Sequence, residues 1–528
     1  RCERWRSRRS NLRMRHTLLA SLSLSLLVCG AFAQDAKKSA QNAQPALTRE
    51  TVEAIVDLAV ERFQPKGIAV AVVSNGETLV ELGRGVRHDD APVTANTVFN
   101  IASCSKAFTA ALLAQQVSEG KLKWSDRVVD HVPEFKMQDP WITAHMTLSD
   151  LLCHRCGLVT FAGDLLWYGS DYSDAEVLKR LEKLPIVQGF RDQFGYQNLM
   201  YMVAGIVLER TTGRTWEDLV EERITKPLGM ASTRASAQRL ASDAERATPH
   251  IEGHAVEEHE FTACKPAASM MSSVHDLTLW MRMLLHGGAH GDAKLLDATA
   301  LAQMWRPYTI LGGGPGGADT RDFRSYGLGW FLAIERGKKL VEHDGGMPGF
   351  LSKVSLLPAD KFGFVVLNNS NDGVLNEAIK AALLAAHAGE DGKAQIERFA
   401  TIYERVQQRD KNEKAARESQ RAQGTKPSLS LQDYAGRYED AIYGPAEVVV
   451  DGDALRVTLL PSKRRLHGAM AHWHHDTFRV DFPDRFLPFA LFRFELGTDG
   501  KVSGFRIDCP IADFDFAALD FRRVRAAK

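Results

Sequence analysis

The sequence predicts an α+β protein: an antiparallel sheet flanked by helices, a mostly helical lobe inserted into it, and a small antiparallel β domain at the C-terminus. Three observations carry this. Two β-rich runs in GIAVAVVSNGETLVELGRGV meet at Asn75-Gly76, a strong hairpin signal. Helical and loop-rich sequence then fills about residues 124–310, before strand character returns in YGLGWFLAI, KKLVEHDGG, LSKVSLLP and KFGFVVLNNS. Alternation appears once more beyond about residue 429, with turns at Asp451-Gly452 and Asp499-Gly500.

Composition bounds what the chain can be. At 528 residues it exceeds one ordinary core, so two or three domains are expected. Hydrophobic residues at 45% and charged residues at 25% are globular proportions. Lys plus Arg and Asp plus Glu balance at 66 each, so no net field favours nucleic acid or an anionic membrane. Neither is expected as a partner.

Arg13, Arg15 and His16 precede LLASLSLSLLVCG, which leads to Ala31-Phe32-Ala33 before Gln34. A basic start, a short apolar core and small residues at minus three and minus one describe a cleaved secretory signal. Met14 stands where such a signal starts, so residues 1–13 read as upstream translation and residues 1–33 as upstream sequence plus leader. Cys29 raises a lipoprotein anchor as the alternative, against which the bulky Val28 argues. The apolar core is too short to span a bilayer. A secreted or periplasmic protein, with no stable membrane insertion after signal removal, is expected.

Residues 34–48 are polar, Ala-rich and Pro-broken, a tether. TVEAIVDLAVERFQ shows helical apolar spacing and opens the main domain, residues 49–390, which VLNEAIKAALLAAH closes. Residues 391–428 are dense in both charge signs and read as a solvated linker helix; residues 429–528 form the small β domain.

Seven cysteines include Cys2 and Cys29 upstream of the cleavage site; the remaining five, an odd number, require at least one free thiol. Cys153-His154-Arg155-Cys156 has metal or redox spacing but no second ligand pair and no βαβ surroundings. Two loop cysteines, free or strained into a bridge, are the preferred reading. His472 and His474 fall on one face of a strand with His475 beside them, without a clear third ligand. No metal and no cofactor are expected.

Chemistry gathers first at Ser103-Cys104-Ser105-Lys106. Residues three apart share a helix face, so Lys106 can reach the Ser103 hydroxyl. In the first turn of a helix, Ser103 also sits beside free N–H groups that favour developing negative charge. These are the parts of a serine acyl-transfer site. Ser118-Glu119-Gly120-Lys121 repeats the pattern, but Gly120 marks a helix stop there. Cys104 faces another side of the helix, for packing.

Two distant segments support Ser103. Tyr196 and Asn198 precede an apolar-periodic helix, in FGYQNLMYMVAGIVLE, and are free to point into a cleft. A Tyr there can move a proton if nearby cations lower its pKa, and an Asn can orient Lys106 and a substrate amide. His343-Asp344-Gly345-Gly346 ends a predicted strand, where the glycines allow close backbone approach.

Taken together and in this order, these motifs resemble the serine β-lactamase and penicillin-binding protein superfamily. The nearer likeness is to its class C β-lactamase, D-alanyl-D-alanine carboxypeptidase and carboxylesterase branch. The likeness covers roughly residues 49–390 and includes MTLSDLLCHRCGL, EERITKPLGMAST, PAASMMSSVHDLTLWM, YGLGWFLA and GFVVLNNSNDG. Residues 429–528 resemble the small β domain often appended to such hydrolases, in which the His cluster is ordinary. The resemblance implies a β-lactamase/transpeptidase-like fold, with Ser103 as nucleophile and Lys106 as general base. It implies Tyr196 as proton shuttle, Asn198 holding the substrate amide, and Ser103 and Gly346 N–H groups as oxyanion hole. His343 takes the place usually held by Lys, and a mostly uncharged His holds a substrate carboxylate less firmly. HRCGL and PAAS also depart from the commoner blocks. The expectation is an exported serine hydrolase acting through an acyl-enzyme on a small-molecule or peptide substrate. Esterase, D-amino-peptide hydrolase, carboxypeptidase or weak β-lactamase action all fit. The alternatives are a penicillin- or peptidoglycan-binding module with negligible turnover and a metallohydrolase. No G-x-S-x-G elbow supports an α/β-hydrolase. The C-terminal domain is expected to influence access or packing rather than chemistry.

Overall fold

The structure, a computed structural model, describes residues 47–242, 244–291, 293–311 and 323–524; the leader and nearly all of the tether lie outside them. Helix α1 (Arg49–Phe63) is capped by Thr48, whose side chain accepts from the Thr51 N–H. Strands β1 (Gly67–Ser74) and β2 (Glu77–His88) follow as the expected hairpin. Asn75 and Gly76 have φ of 54° and 81°, the left-handed pair that a two-residue turn demands. After β3 (Ala91–Pro92) the chain leaves the sheet and builds the helical lobe, which includes α2 (Ser105–Ser118) and α3 (Leu199–Thr212). Ser118 ends α2, and Gly120 follows at φ 72°, the stop read from the sequence.

The chain returns through β4 (Thr309–Ile310), β5 (Ser325–Tyr326), β6 (Phe331–Glu335), β7 (Lys338–Met347), β8 (Phe350–Leu357) and β9 (Phe362–Asn368). The nine strands form one antiparallel sheet in the order β4-β5-β6-β7-β8-β9-β1-β2-β3. The first and last long strands pair, Ile68 opposite Asn368, so the lobe is an insertion into a continuous sheet. β1 is buried on both faces, which explains its unbroken apolar run. Ile68, Val70 and Val72 join a core with α1 and α4 (Gly373–His387), while Ala69, Ala71 and Val73 face the larger core beneath the lobe.

Helix α5 (Gly392–Ser419) is the expected charged linker helix, but it is more than a solvated tether. Ile396 is buried, and Phe399 and Tyr403 pack on the α1–α4 core. At its far end Arg417 donates to the Asp508 carbonyl at 2.8 Å and lies 4.0 Å from the Phe489 ring centroid. It is a strut fixed at both ends.

The C-terminal segment closes into an eight-stranded barrel. Its strands are β10 (Gly436–Asp440), β11 (Gly444–Asp451), β12 (Ala454–Leu459), β13 (His467–His474), β14 (Thr477–Val480), β15 (Ala490–Leu496), β16 (Val502–Asp508) and β17 (Phe521–Arg523). Closure leaves no strand edge exposed. The barrel docks on the lobe: Tyr168 donates to Asp484 at 2.7 Å, Tyr172 to the Tyr443 carbonyl at 2.8 Å, and Arg180 to the Ile442 carbonyl at 2.6 Å. In the barrel, His472 Nε2 meets the His475 carbonyl at 2.9 Å. Among the described residues no three His, Cys, Asp or Glu side chains gather as a metal site, and Cys104, Cys153, Cys156, Cys264 and Cys509 are all free and buried.

Candidate active site

The loop before α2 is strained where the chemistry begins. Ala102 is held at φ 46°, a left-handed conformation that alanine rarely adopts, and its N–H donates to Asn100 Oδ1 at 2.7 Å. The chain then enters a short 3-10 turn, Ala102–Cys104, rather than the expected first α-helical turn. Residues i and i+3 eclipse in a 3-10 turn, so the sequence spacing still works. Lys106 Nζ stands 2.9 Å from Ser103 Oγ.

Lys106 is fully buried, and its ammonium position is saturated: besides Ser103 it reaches Asn198 Oδ1 at 2.6 Å and the Ala267 carbonyl at 3.1 Å. Ala267 belongs to the unusual PAAS block, which here supplies a carbonyl that aims the lysine. Burial pushes the Lys106 pKa down to about 7, and nearby acidic groups only partly offset it. A neutral amine, able to take a proton, is therefore populated at physiological pH.

Tyr196 hydrogen-bonds Ser103, and its ring centroid lies 4.8 Å from Lys106 Nζ. The condition set for proton transfer, a pKa lowered by nearby cations, is not met. Burial holds the phenol well above its ordinary value, and the nearest cation, Lys106, is itself driven towards neutrality. Tyr196 stays a neutral phenol, a donor and relay. Behind it, in the HRCGL departure, the His154 ring lies 4.2 Å away and its Nδ1 accepts from the Gln197 N–H, fixing the loop.

Asn198 Nδ2 donates to Asp164 Oδ2 at 2.6 Å, so both ends of its amide are engaged, with Lys106 on one side and Asp164 on the other. Asn198 thus bridges Lys106 to Asp164. Asp164, which the sequence reading missed, is 2% exposed and also accepts from Trp167 Nε1 at 2.9 Å. Burial raises its pKa to about 7 against those two hydrogen bonds. Its only sequence signal was an acidic residue in the apolar run FAGDLLWYG.

His343 departs from its expected role. It is 1% exposed, its Nδ1 lies 2.6 Å from the Asp344 carbonyl, and its Nε2 lies 2.7 Å from the Tyr326 hydroxyl. A carbonyl only accepts, so Nδ1 carries the proton and Nε2 accepts from Tyr326. Neither nitrogen is left for a substrate carboxylate, and burial pushes the pKa down to about 3. Its ring faces the cleft as a neutral wall. We expect ¹H–¹⁵N NMR to show the Nδ1-protonated neutral tautomer throughout pH 5 to 8; a charge transition in that range would contradict the arrangement.

The two glycines differ. A Cβ on Gly345 would lie 2.3 Å from the Ile101 carbonyl oxygen and 3.0 Å from the Ser103 nitrogen. Gly345 lets β7 run against the turn that carries Ser103. On Gly346 the nearest atom would be Leu351 Cδ2, at an ordinary 3.4 Å. Gly345→Ala should therefore destabilise the fold by about 1–3 kcal/mol and disable acylation, while Gly346→Ala should unfold at nearly the wild-type temperature. Thermal melts and covalent labelling check both. Cys104, buried with its pKa raised to about 12, accepts from Ser352 at 3.3 Å and is a packing residue.

Ser103, Tyr196, Asn198, His343 and Gly346 share one cavity of about 570 Å³, with Lys106 directly behind Ser103. Three distant segments thus converge on a single hydroxyl. A family model described as Beta-lactamase matches residues 52–388, more than half of the chain. The chain belongs to the beta-lactamase family. This is a family of serine hydrolases, and the antiparallel sheet with flanking helices is its fold. A second model, for a domain of unknown function termed DUF3471, matches residues 420–523, the barrel.

Among curated relatives, the unguisins hydrolase ungD of Aspergillus violaceofuscus is 29% identical over 343 residues, 59% of each chain. Protein flp of Staphylococcus aureus is 26% identical over 332 residues, 61% of this chain and 64% of that one. The chain thus spans about three fifths of the length of the curated relatives it matches. Among solved structures, an octameric penicillin-binding protein homologue from Pyrococcus abyssi aligns over 89% of this chain and 99% of its own, with 20% identity and a TM-score of 0.56. The D-alanine carboxypeptidase AmpC of Burkholderia cenocepacia aligns over 64% and 98%, with 20% identity and a TM-score of 0.54. At such identities these two speak to the fold.

Proposed function

We propose that this protein is an exported serine hydrolase that cleaves an ester or amide bond through an acyl-enzyme on Ser103. The observation that carries the reading is the 2.9 Å contact between Ser103 Oγ and a lysine whose pKa burial lowers to about 7. Neutral Lys106 takes the Ser103 proton as Oγ attacks the carbonyl carbon. The oxyanion is held by the N–H groups of Ser103 and Gly346. The C–O or C–N bond then breaks, and the proton passes through Tyr196 to the leaving alcohol or amine. Water, deprotonated by the same pair, attacks the ester to release the acid and restore Ser103. Asn198 and Asp164 position Lys106. Residues 14–33 direct the chain out of the cytoplasm, to the periplasm or medium.

The neutral His343 and the lack of a spare cation in the described cleft wall support esters, amides and D-amino peptides without a free carboxylate at the leaving group over carboxypeptidase-type peptides and β-lactams, which are both anionic. One panel tests this: nitrophenyl esters, D-alanyl peptides and a chromogenic cephalosporin, followed from burst to steady state. Sustained turnover of an ester or peptide, exceeding that of the cephalosporin, is expected. A stoichiometric burst with no turnover on any of them would instead mark a penicillin- or peptidoglycan-binding module.

A further inference from the structure

The active-site cavity is walled by two domains. Besides Ser103 and its partners, Phe486, Asp513 and Phe514 of the barrel line it. They lie on the β14–β15 and β16–β17 connections, on the side of the barrel pressed against the lobe. Their placement is fixed by packing. The Phe514 ring packs tilted against Tyr168 with centroids 4.2 Å apart; the Tyr168 hydroxyl donates to Asp484, and Asp484 accepts in turn from the Phe486 N–H at 3.1 Å.

Three carboxylates face this space: Asp164, Asp344 and Asp513. Asp164 is spent on Asn198 and Trp167, and Asp344 is paired with Lys353. Asp513 has no cation within ion-pair distance among the described residues, and its charge is one of the influences that raise Asp164. Among the described residues the basic group at the floor is Lys106, which lies behind Ser103 and is already hydrogen-bonded to Ser103, Asn198 and the Ala267 carbonyl. Much of the remaining wall is aromatic, with Phe161, Trp167, Phe331, Phe486 and Phe514, and Asn371 adds an uncharged polar group. A cavity of this kind accepts an apolar side chain beside a positive group and rejects a negative one.

We propose that the barrel's Asp513 is a specificity-determining residue that pairs with the free ammonium of an aminoacyl donor whose apolar side chain rests on Phe486 and Phe514. The inference rests on the acyl-enzyme reading and names its substrate class: amino-acid esters or amides with an unblocked α-amine. An ammonium between Asp513 and the aromatic wall gains a charge-assisted hydrogen bond and ring contacts together. N-acylation removes the charge that Asp513 would pair with.

The test compares phenylalanyl nitroanilides or esters of both chiralities with their N-acetyl counterparts on the full chain. In the wild type the free amine should be preferred by about tenfold or more in kcat/KM. In Asp513→Asn the ratio should fall towards one, whatever the absolute rates. A wild-type ratio at or below one, or a ratio unchanged in Asp513→Asn, overturns the proposal. A second readout needs no turnover and no variant. 2-Phenylethylamine should protect Ser103 from fluorophosphonate labelling at about tenfold lower concentration than 3-phenylpropionate; equal protection would count against it. Turnover surviving in Ser103→Ala is a separate result, and it would overturn the serine mechanism rather than the ammonium preference.

Discussion

Ser103→Ala is expected to erase covalent labelling by a fluorophosphonate and to lower ester turnover by roughly 10⁵-fold or more, since the nucleophile and its base act as a unit. The fold should be retained, because Ser103 is held by the strained Ala102 kink and by β7, and among the described residues its hydroxyl bonds to Lys106 and Tyr196. Intact-mass detection of the labelled protein with peptide mapping gives the readout. Stoichiometric labelling at any other residue of the variant would mean that another nucleophile does the work.

The second large effect concerns Lys106. Lys106→Met should lower kcat/KM by about 10²–10⁴-fold, the usual worth of a positioned general base. The wild-type profile should show the cause. Lys106 must be neutral to accept the Ser103 proton, and burial sets its pKa near 7, so activity should climb as pH rises from 6 to 8. Asp164 titrates in the same range, so the inflection belongs to the Lys106–Asn198–Asp164 network. The Asp164 carboxylate favours the charged lysine, so Asp164→Asn should move the inflection to lower pH. A purely structural role for Asp164 would alter stability and leave the inflection in place. A profile flat from pH 6 to 8 in the wild type would exclude Lys106 as the base.

Much of this site was legible in the sequence because its signals are local. Ser103 and Lys106 sit three residues apart, and that spacing survives whether the turn is α-helical or 3-10. Tyr196 and Asn198 were marked by the polar residues that open an apolar helix, and Gly345 by a glycine pair in a strand. Electrostatics was less legible. The pKa of Tyr196 rises, because burial outweighs a lysine that is itself losing its charge, and no sequence signal shows that burial. His343 looked like a weak anion holder, yet Tyr326 and the Asp344 carbonyl consume both of its nitrogens.

The sequence by itself determined the α+β class, the hairpin at Asn75-Gly76, the pairing of Ser103 with Lys106, and the presence of an appended β domain. Each follows from periodicity, turn chemistry or fixed spacing along a few residues. The tertiary structure alone decided the closure of that domain into a barrel, the linkage of Lys106 through Asn198 to Asp164, and the entry of Asp513 into the cleft. Those features depend on which distant surfaces bury one another, and burial sets both the pKa values and the partners left for a substrate.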